Sequence, residues 1–119
     1  MNLSNEDIKN ELKKGNIKII PKISDEQIGP GSIDLTLSNE FWIIKNKYKK
    51  KLVDLKAQSP DQIFEKKIAD FIILKPQGIC LGITKEKLIL GPNIMGRLEG
   101  RSKYARMGLA VHITSSLVQ

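Results

Sequence analysis

The chain has 119 residues, 40% of them hydrophobic and 28% charged, which suits one domain able to bury roughly two-thirds of its unfolded surface. Its 20 Lys and Arg against 13 Asp and Glu give a net charge of +7, a balance that fits phosphorylated ligands or nucleic acid as partners. No stretch has the apolar length of a membrane span, the N-terminus lacks a signal-peptide core, and one cysteine excludes an internal disulfide, so the expected setting is a reducing cytoplasm.

Ser4 and Asp7 form a capping box, with Leu3 and Ile8 in hydrophobic-staple positions. Ile8 and Leu12 then mark the buried stripe of a short helix that Gly15 ends. Ile17 to Ile20 reads as a strand stopped by Pro21, and residues 24–31 read as loop. Ile33, Leu35 and Leu37 alternate with Asp34 and Thr36, the pattern of a half-buried strand. Phe41–Ile44 and Leu52–Leu55 read as strands on either side of a lysine-rich turn. That run, Lys45 to Lys51, is either a solvated hairpin tip or a nucleic-acid patch. Residues 59–67 are a helical turn capped near Ser59, or irregular. Four short apolar runs follow, Phe71–Leu74, Ile79–Ile83, Leu88–Leu90 and Ile94–Leu98, with turns at Pro76-Gln77-Gly78 and Gly91-Pro92-Asn93. Leu109, Val111 and Ile113 would share one face of a last strand, and Ala110, His112 and Thr114 the other. Many short strands with Gly/Pro punctuation predict a mainly β sandwich or barrel. An aromatic content of 5% leaves few large core anchors, which fits a core completed by neighbouring subunits.

The most informative segment is Gly100-Arg101-Ser102-Lys103-Tyr104-Ala105-Arg106-Met107-Gly108. Gly100 permits a tight or positive-φ turn, Ser102 is placed as an N-cap, and Gly108 is placed to end a short helix in the left-handed conformation. Ser102 and Arg106 are four apart and share a helix face, with Arg101 at its mouth. Two arginine forks, a hydroxyl and the first-turn N–H groups are chemistry that a polyphosphate can use. The bland reading is a solvated helix carrying two surface arginines.

Gly-Arg-Ser-x-x-Ala-Arg-x-Gly-Leu-x-Val-His-x-Thr resembles the central signature of the deoxycytidine triphosphate deaminases, which belong with the dUTP diphosphatases in one superfamily of all-β trimers. Three further segments carry the resemblance: Ser4 to Ile8 with Gly15 and Pro21, Gly29 to Leu37, and Ile83 to Gly100. The resemblance implies a single domain over residues 1–119 with a distorted β-barrel or jelly roll, the dUTPase-like β-clip. A short helix would stand at its N-terminus and another after the Gly-Arg-Ser motif. It implies hydrolytic deamination of dCTP to dUTP and ammonia, feeding dUTP and dTTP synthesis, by a cytoplasmic homotrimer. Mg²⁺ would accompany the triphosphate and no zinc would be involved. One His and one Cys could not assemble a His-Cys-Cys zinc site within a protomer in any case.

Ser102 and Arg106 correspond to the residues that place the attacking water and stabilise developing charge, and the Ser115 backbone carbonyl to a group that holds that water. Arg101, Ser102, Lys103, Tyr104, Ala105, Arg106 and Gln119 correspond to nucleotide-contacting positions. Asp34 and His112 correspond to supporting positions behind them, and His112 reads either as a packed, hydrogen-bonded histidine or as a proton-transfer group. Gln119 stands where the family often has Asp. The family's general acid/base glutamate is expected beyond Gln119. Glu86 and Glu99 do not match it and read as surface or structural residues. The expectation is an N-terminal portion or truncated form with little activity alone. The alternatives are a dUTP diphosphatase, a bifunctional enzyme making dUMP, or a non-catalytic nucleotide-binding or assembly protein; a nucleic-acid module rests on charge alone.

Overall fold

The computed structural model describes residues 1–111 and 115–118. It is mainly β, with few helices and strands in three separate antiparallel sheets; no closed barrel forms among the described residues. The chain divides into two compact units, one made of Met1–Asp34 with Glu86–Gln119 and the other of Leu35–Lys85.

In the first unit, helix α1 (Asn5–Lys14) begins as its sequence dictates. Ser4 caps it, the Asp7 carboxylate accepts from the Ser4 N–H at 3.0 Å, and the reciprocal bond from the Asp7 N–H to Ser4 Oγ closes the box. Gly15 ends it at φ 79°, while the Gly15 and Asn16 N–H groups reach back to Leu12 and Glu11. Ile8 is buried and Leu12 half-buried. Strand β1 (Ile17–Ile20) pairs antiparallel with β5 (Lys87–Leu90), opposing Ile17 to Leu90 and Ile19 to Leu88 on the inner side and Lys18 to Ile89 on the outer. The loop after β1 contains a 3-10 turn, Asp25–Gln27, and is pinned to α1 where the Asn5 side chain donates to the Ile28 and Gly29 carbonyls. Ile8, Ile17 and Ile28 form this unit's buried apolar centre.

In the second unit, β2 (Leu37–Ile44) lies between β3 (Phe64–Ile68) and β4 (Cys80–Thr84), antiparallel to both. Phe41, 2% exposed, is its buried anchor. Three expectations fail here. The alternating stretch from Ile33 is not a strand, because its backbone is used otherwise: Ile33 makes a lone bridge to Ile28, and Asp34 bonds to Gln27. The ladder starts only at Leu37, with a register shift before Phe41. Leu52–Leu55 is irregular, since Asp54 accepts the N–H groups of Lys56 and Ala57 and so folds a turn. Phe71–Leu74 is likewise irregular, with Phe71, Ile73 and Leu74 exposed and Ile72 half-buried. Residues 59–67, left open between helical turn and irregular, contain both a single helical turn, α2 (Pro60–Ile63), and the start of β3. No helix of the described residues is long and apolar enough to cross a membrane.

Candidate functional site

The signature lies between two short strands of the first unit, β6 (Gly96–Arg97) and β7 (Leu117–Val118), paired Gly96 to Val118 and Arg97 to Leu117. The Leu98 N–H extends the ladder by donating to Ser116 O at 2.7 Å. Further in, a Cβ on Gly100 would meet Val111 Cβ at 3.2 Å. Gly100 is therefore favoured by close approach; of the two alternatives expected, a tight turn or a positive φ, it does not take the positive φ.

Helix α3 (Ser102–Ala105) is one turn long, and Arg101, not Ser102, occupies its N-cap position with no side-chain capping bond. The expectation of a Ser102 cap is corrected: the Arg101 carbonyl accepts the Tyr104 and Ala105 N–H groups, so helical hydrogen bonding begins one residue earlier. With so short a helix, anion binding has to rest on side chains rather than on a macrodipole. The Arg106 N–H donates to Ser102 O at 3.0 Å, which holds Ser102 and Arg106 one turn apart as their spacing requires. Gly108 closes the turn at φ 89°, the left-handed conformation expected of it, with its N–H bonded to Ala105 O and the Leu109 N–H to Tyr104 O in a Schellman pattern.

Arg101 turns back onto Asp34, with Nη1 3.4 Å from Oδ2. The strand that was to carry Asp34 is absent, yet the residue reaches the signature from the loop. Lys103 lies over the Tyr104 ring, Nζ 5.8 Å from its centroid. Residues 101–111 are all exposed. Two concavities of about 490 and 330 Å³ in the same unit are lined around Gly91-Pro92-Asn93-Ile94 and include no signature residue. Ser115 is exposed and adjoins Ser116, whose carbonyl is taken by Leu98. His112 and Gln119 lie outside the described residues, as do Ile113 and Thr114 of the expected last strand.

The two carboxylates left aside by sequence differ sharply. Glu99 is exposed and lies 4.0 Å from the Arg97 guanidinium. Glu86 is 7% exposed and accepts from Gln27 Nε2 at 3.1 Å. Sequence reasoning missed Gln27, although Ser24-x-x-Gln27 is itself a capping-box pattern and the Ser24 N–H does donate to Gln27 Oε1. The lysine-rich run does not turn into a strand at Leu52–Leu55; it opens the long connection between the antiparallel pair β2 and β3, where Asn46–Tyr48 is a 3-10 turn and Lys45 donates to the Asp61 carbonyl. No group of three or more His, Cys, Asp or Glu side chains among the described residues is arranged to hold a metal ion.

A family model described as dCTP deaminase-like matches residues 2–119. The chain is 36% identical over 124 residues to a dCTP deaminase of Buchnera aphidicola subsp. Baizongia pistaciae, covering 97% of the chain and 64% of that protein. It is 33% identical to a dCTP deaminase of Tolumonas auensis and 34% to one of Alteromonas mediterranea, in each case over 97% of the chain and 64% and 63% of the relative. The chain belongs to the dCTP deaminase-like family, and it spans somewhat under two-thirds of the length of these relatives.

Proposed function

We propose that the protein hydrolytically deaminates dCTP, taking one water and releasing dUTP and ammonia. The observation that carries this reading is the signature's geometry: Arg101 tied to Asp34, with Ser102 and Arg106 held one turn apart by a main-chain bond. Family membership supports it, as does the identity of the relatives as dCTP deaminases.

In this reading, Arg101 and Arg106 grip the triphosphate and reacting ring with paired charge-assisted hydrogen bonds, and Lys103, Tyr104, Ala105 and Gln119 line the nucleotide. Ser102, Arg106 and the Ser115 carbonyl orient a water toward C4 of the cytosine and stabilise the charge that develops there. A glutamate outside this sequence moves the protons, and His112 and Asp34 support the site. The donors around the signature are guanidinium, ammonium and hydroxyl groups, and Asp34 is engaged with Arg101. That set fits Mg²⁺ carried by the phosphates, where it would neutralise their charge.

A single domain in a distorted barrel or jelly roll, a homotrimer and a cytoplasmic location complete the proposal. The thin apolar centres, Ile8, Ile17 and Ile28 in one unit and Phe41 in the other, support further packing by neighbouring subunits. The 119-residue polypeptide by itself is expected to bind triphosphate and release little ammonia. The test is ammonia and pyrophosphate release by the full-length protein from dCTP and, in a separate reaction, from dUTP, each with Mg²⁺. Ammonia with dUTP supports the reading, pyrophosphate from dUTP points to a diphosphatase, and ammonia plus pyrophosphate points to a bifunctional enzyme. Triphosphate binding without either product would leave a non-catalytic nucleotide-binding protein.

A further inference from the structure

Gln27 is a fully committed polar side chain near the signature. Its Oε1 accepts the Ser24 N–H at 3.1 Å, while its Nε2 donates to the Asp34 carbonyl at 2.9 Å and to Glu86 Oε1 at 3.1 Å. Both amide hydrogens are used, and reversing the amide would break all three bonds, so its orientation is fixed. Its main chain adds a fourth tie, with the Asp34 N–H donating to Gln27 O at 2.8 Å. Asp34 is thus clamped by one residue at both its N–H and its carbonyl. Glu86, buried at 7% exposure, anchors the far end. The Asp34 carboxylate, the one side chain in this chain of contacts that faces the signature, meets Arg101.

We propose that Gln27, anchored by Glu86, is a positioning residue for Arg101, acting through Asp34; the proposal builds on the nucleotide reading of the signature. A surface arginine ordinarily samples many rotamers, and ordering it before a ligand arrives lowers the entropy lost on binding. The clamp supplies that order from residues that touch no nucleotide.

The test compares Gln27→Met, which keeps length but removes the amide, and Gln27→Glu, which turns the donor into an acceptor facing a carbonyl and a carboxylate. Each is made in the wild-type and Asp34→Ala backgrounds of the full-length protein. Two quantities are read: the heteronuclear NOE of the Arg101 side-chain Nε–H, and the Kd for dCTP with Mg²⁺. In the wild-type background both variants are expected to lower the NOE and raise Kd about tenfold. In the Asp34→Ala background neither quantity changes further. An unaltered Arg101 NOE, equal effects in the two backgrounds, or loss of the fold in both variants overturns the proposal. If the unmutated protein binds no dCTP, the nucleotide reading falls, and the Arg101 NOE alone decides whether Gln27 positions it.

Discussion

Arg101 Nη1 stands 3.4 Å from Asp34 Oδ2, joining the loop that follows β1 to the first arginine of the signature. Both side chains are substantially exposed, so the pair contributes at most about 1 kcal/mol to stability. Its value lies in orienting a guanidinium. Arg101→Ala is expected to raise the Kd for dCTP by about tenfold to a hundredfold, the range of one or two charge-assisted bonds. Asp34→Asn should weaken binding less, and neither should move Tm much. Calorimetric titration with dCTP and Mg²⁺ checks both; equal affinity in Arg101→Ala and wild type would contradict the phosphate role.

Ser102→Ala and Arg106→Ala are expected to reduce ammonia release by the full-length protein about a hundredfold or more in kcat, the usual consequence of removing one group that stabilises developing charge. Arg106→Ala should raise KM as well, because that guanidinium also contacts the nucleotide in the proposed site. Ser102→Ala should raise KM less, because its hydroxyl offers the nucleotide a single uncharged contact. Steady-state ammonia assays separate the two patterns.

Gly108→Ala isolates a backbone effect. Nothing lies within 4 Å of an added Cβ, yet φ is 89°, so the substitution is expected to cost about 1–2 kcal/mol without a clash. Gly100→Ala does the reverse, crowding Val111 at 3.2 Å in a permitted conformation. Denaturant titration should show Gly108→Ala destabilised, whereas relaxation of Val111 should recover part of the loss in Gly100→Ala.

The Ser4 hydroxyl and then the Ser4 backbone N–H hold the Asp7 carboxyl below its ordinary value of 3.8. A lowered folded-state pKa means the capping contribution is complete above that ordinary value and is lost as pH falls through the lowered one. Helix content followed by circular dichroism should therefore persist below pH 3.8 in wild type. In Ser4→Ala the Asp7 carboxyl regains part of its ordinary affinity for protons, and the acid transition should move to higher pH. An unmoved transition would count against the capping box as its source.

Burial pushes the Cys80 thiol above its ordinary value of 9.0, keeping it protonated near neutrality. Iodoacetamide at pH 7 should label it more slowly than a free cysteine, with the rate recovering only at alkaline pH.

Local signals were legible wherever the chain's own neighbours decide the outcome. Ser4, Asp7 and Gly15 mark both ends of α1, Ile17–Ile20 matches β1 residue for residue, and Gly108 takes its left-handed closure. Tertiary partners decided the failures. Glu65, Lys66 and Lys67 give β3 no apolar alternation, and it forms because β2 offers a ladder. Leu52–Leu55 has the composition of a strand, but the Asp54 carboxylate captures its backbone. At the site, the signature's spacing anticipated that Ser102 and Arg106 stand one turn apart, as the bond from the Arg106 N–H to Ser102 O holds them. The Gln27 and Glu86 clamp went unseen because it is assembled from segments distant in sequence.

Because β6 and β7 fasten both ends of the signature into one small ladder, its placement hangs on very little pairing. Val118 Cβ would sit 3.4 Å from a methyl added at Gly96, so this pairing tolerates little extra bulk between the two chains. A bulky replacement at Gly96 would pry the fastening open and let the arginine-bearing loop drift, silencing a residue such as Arg106 that it never touches.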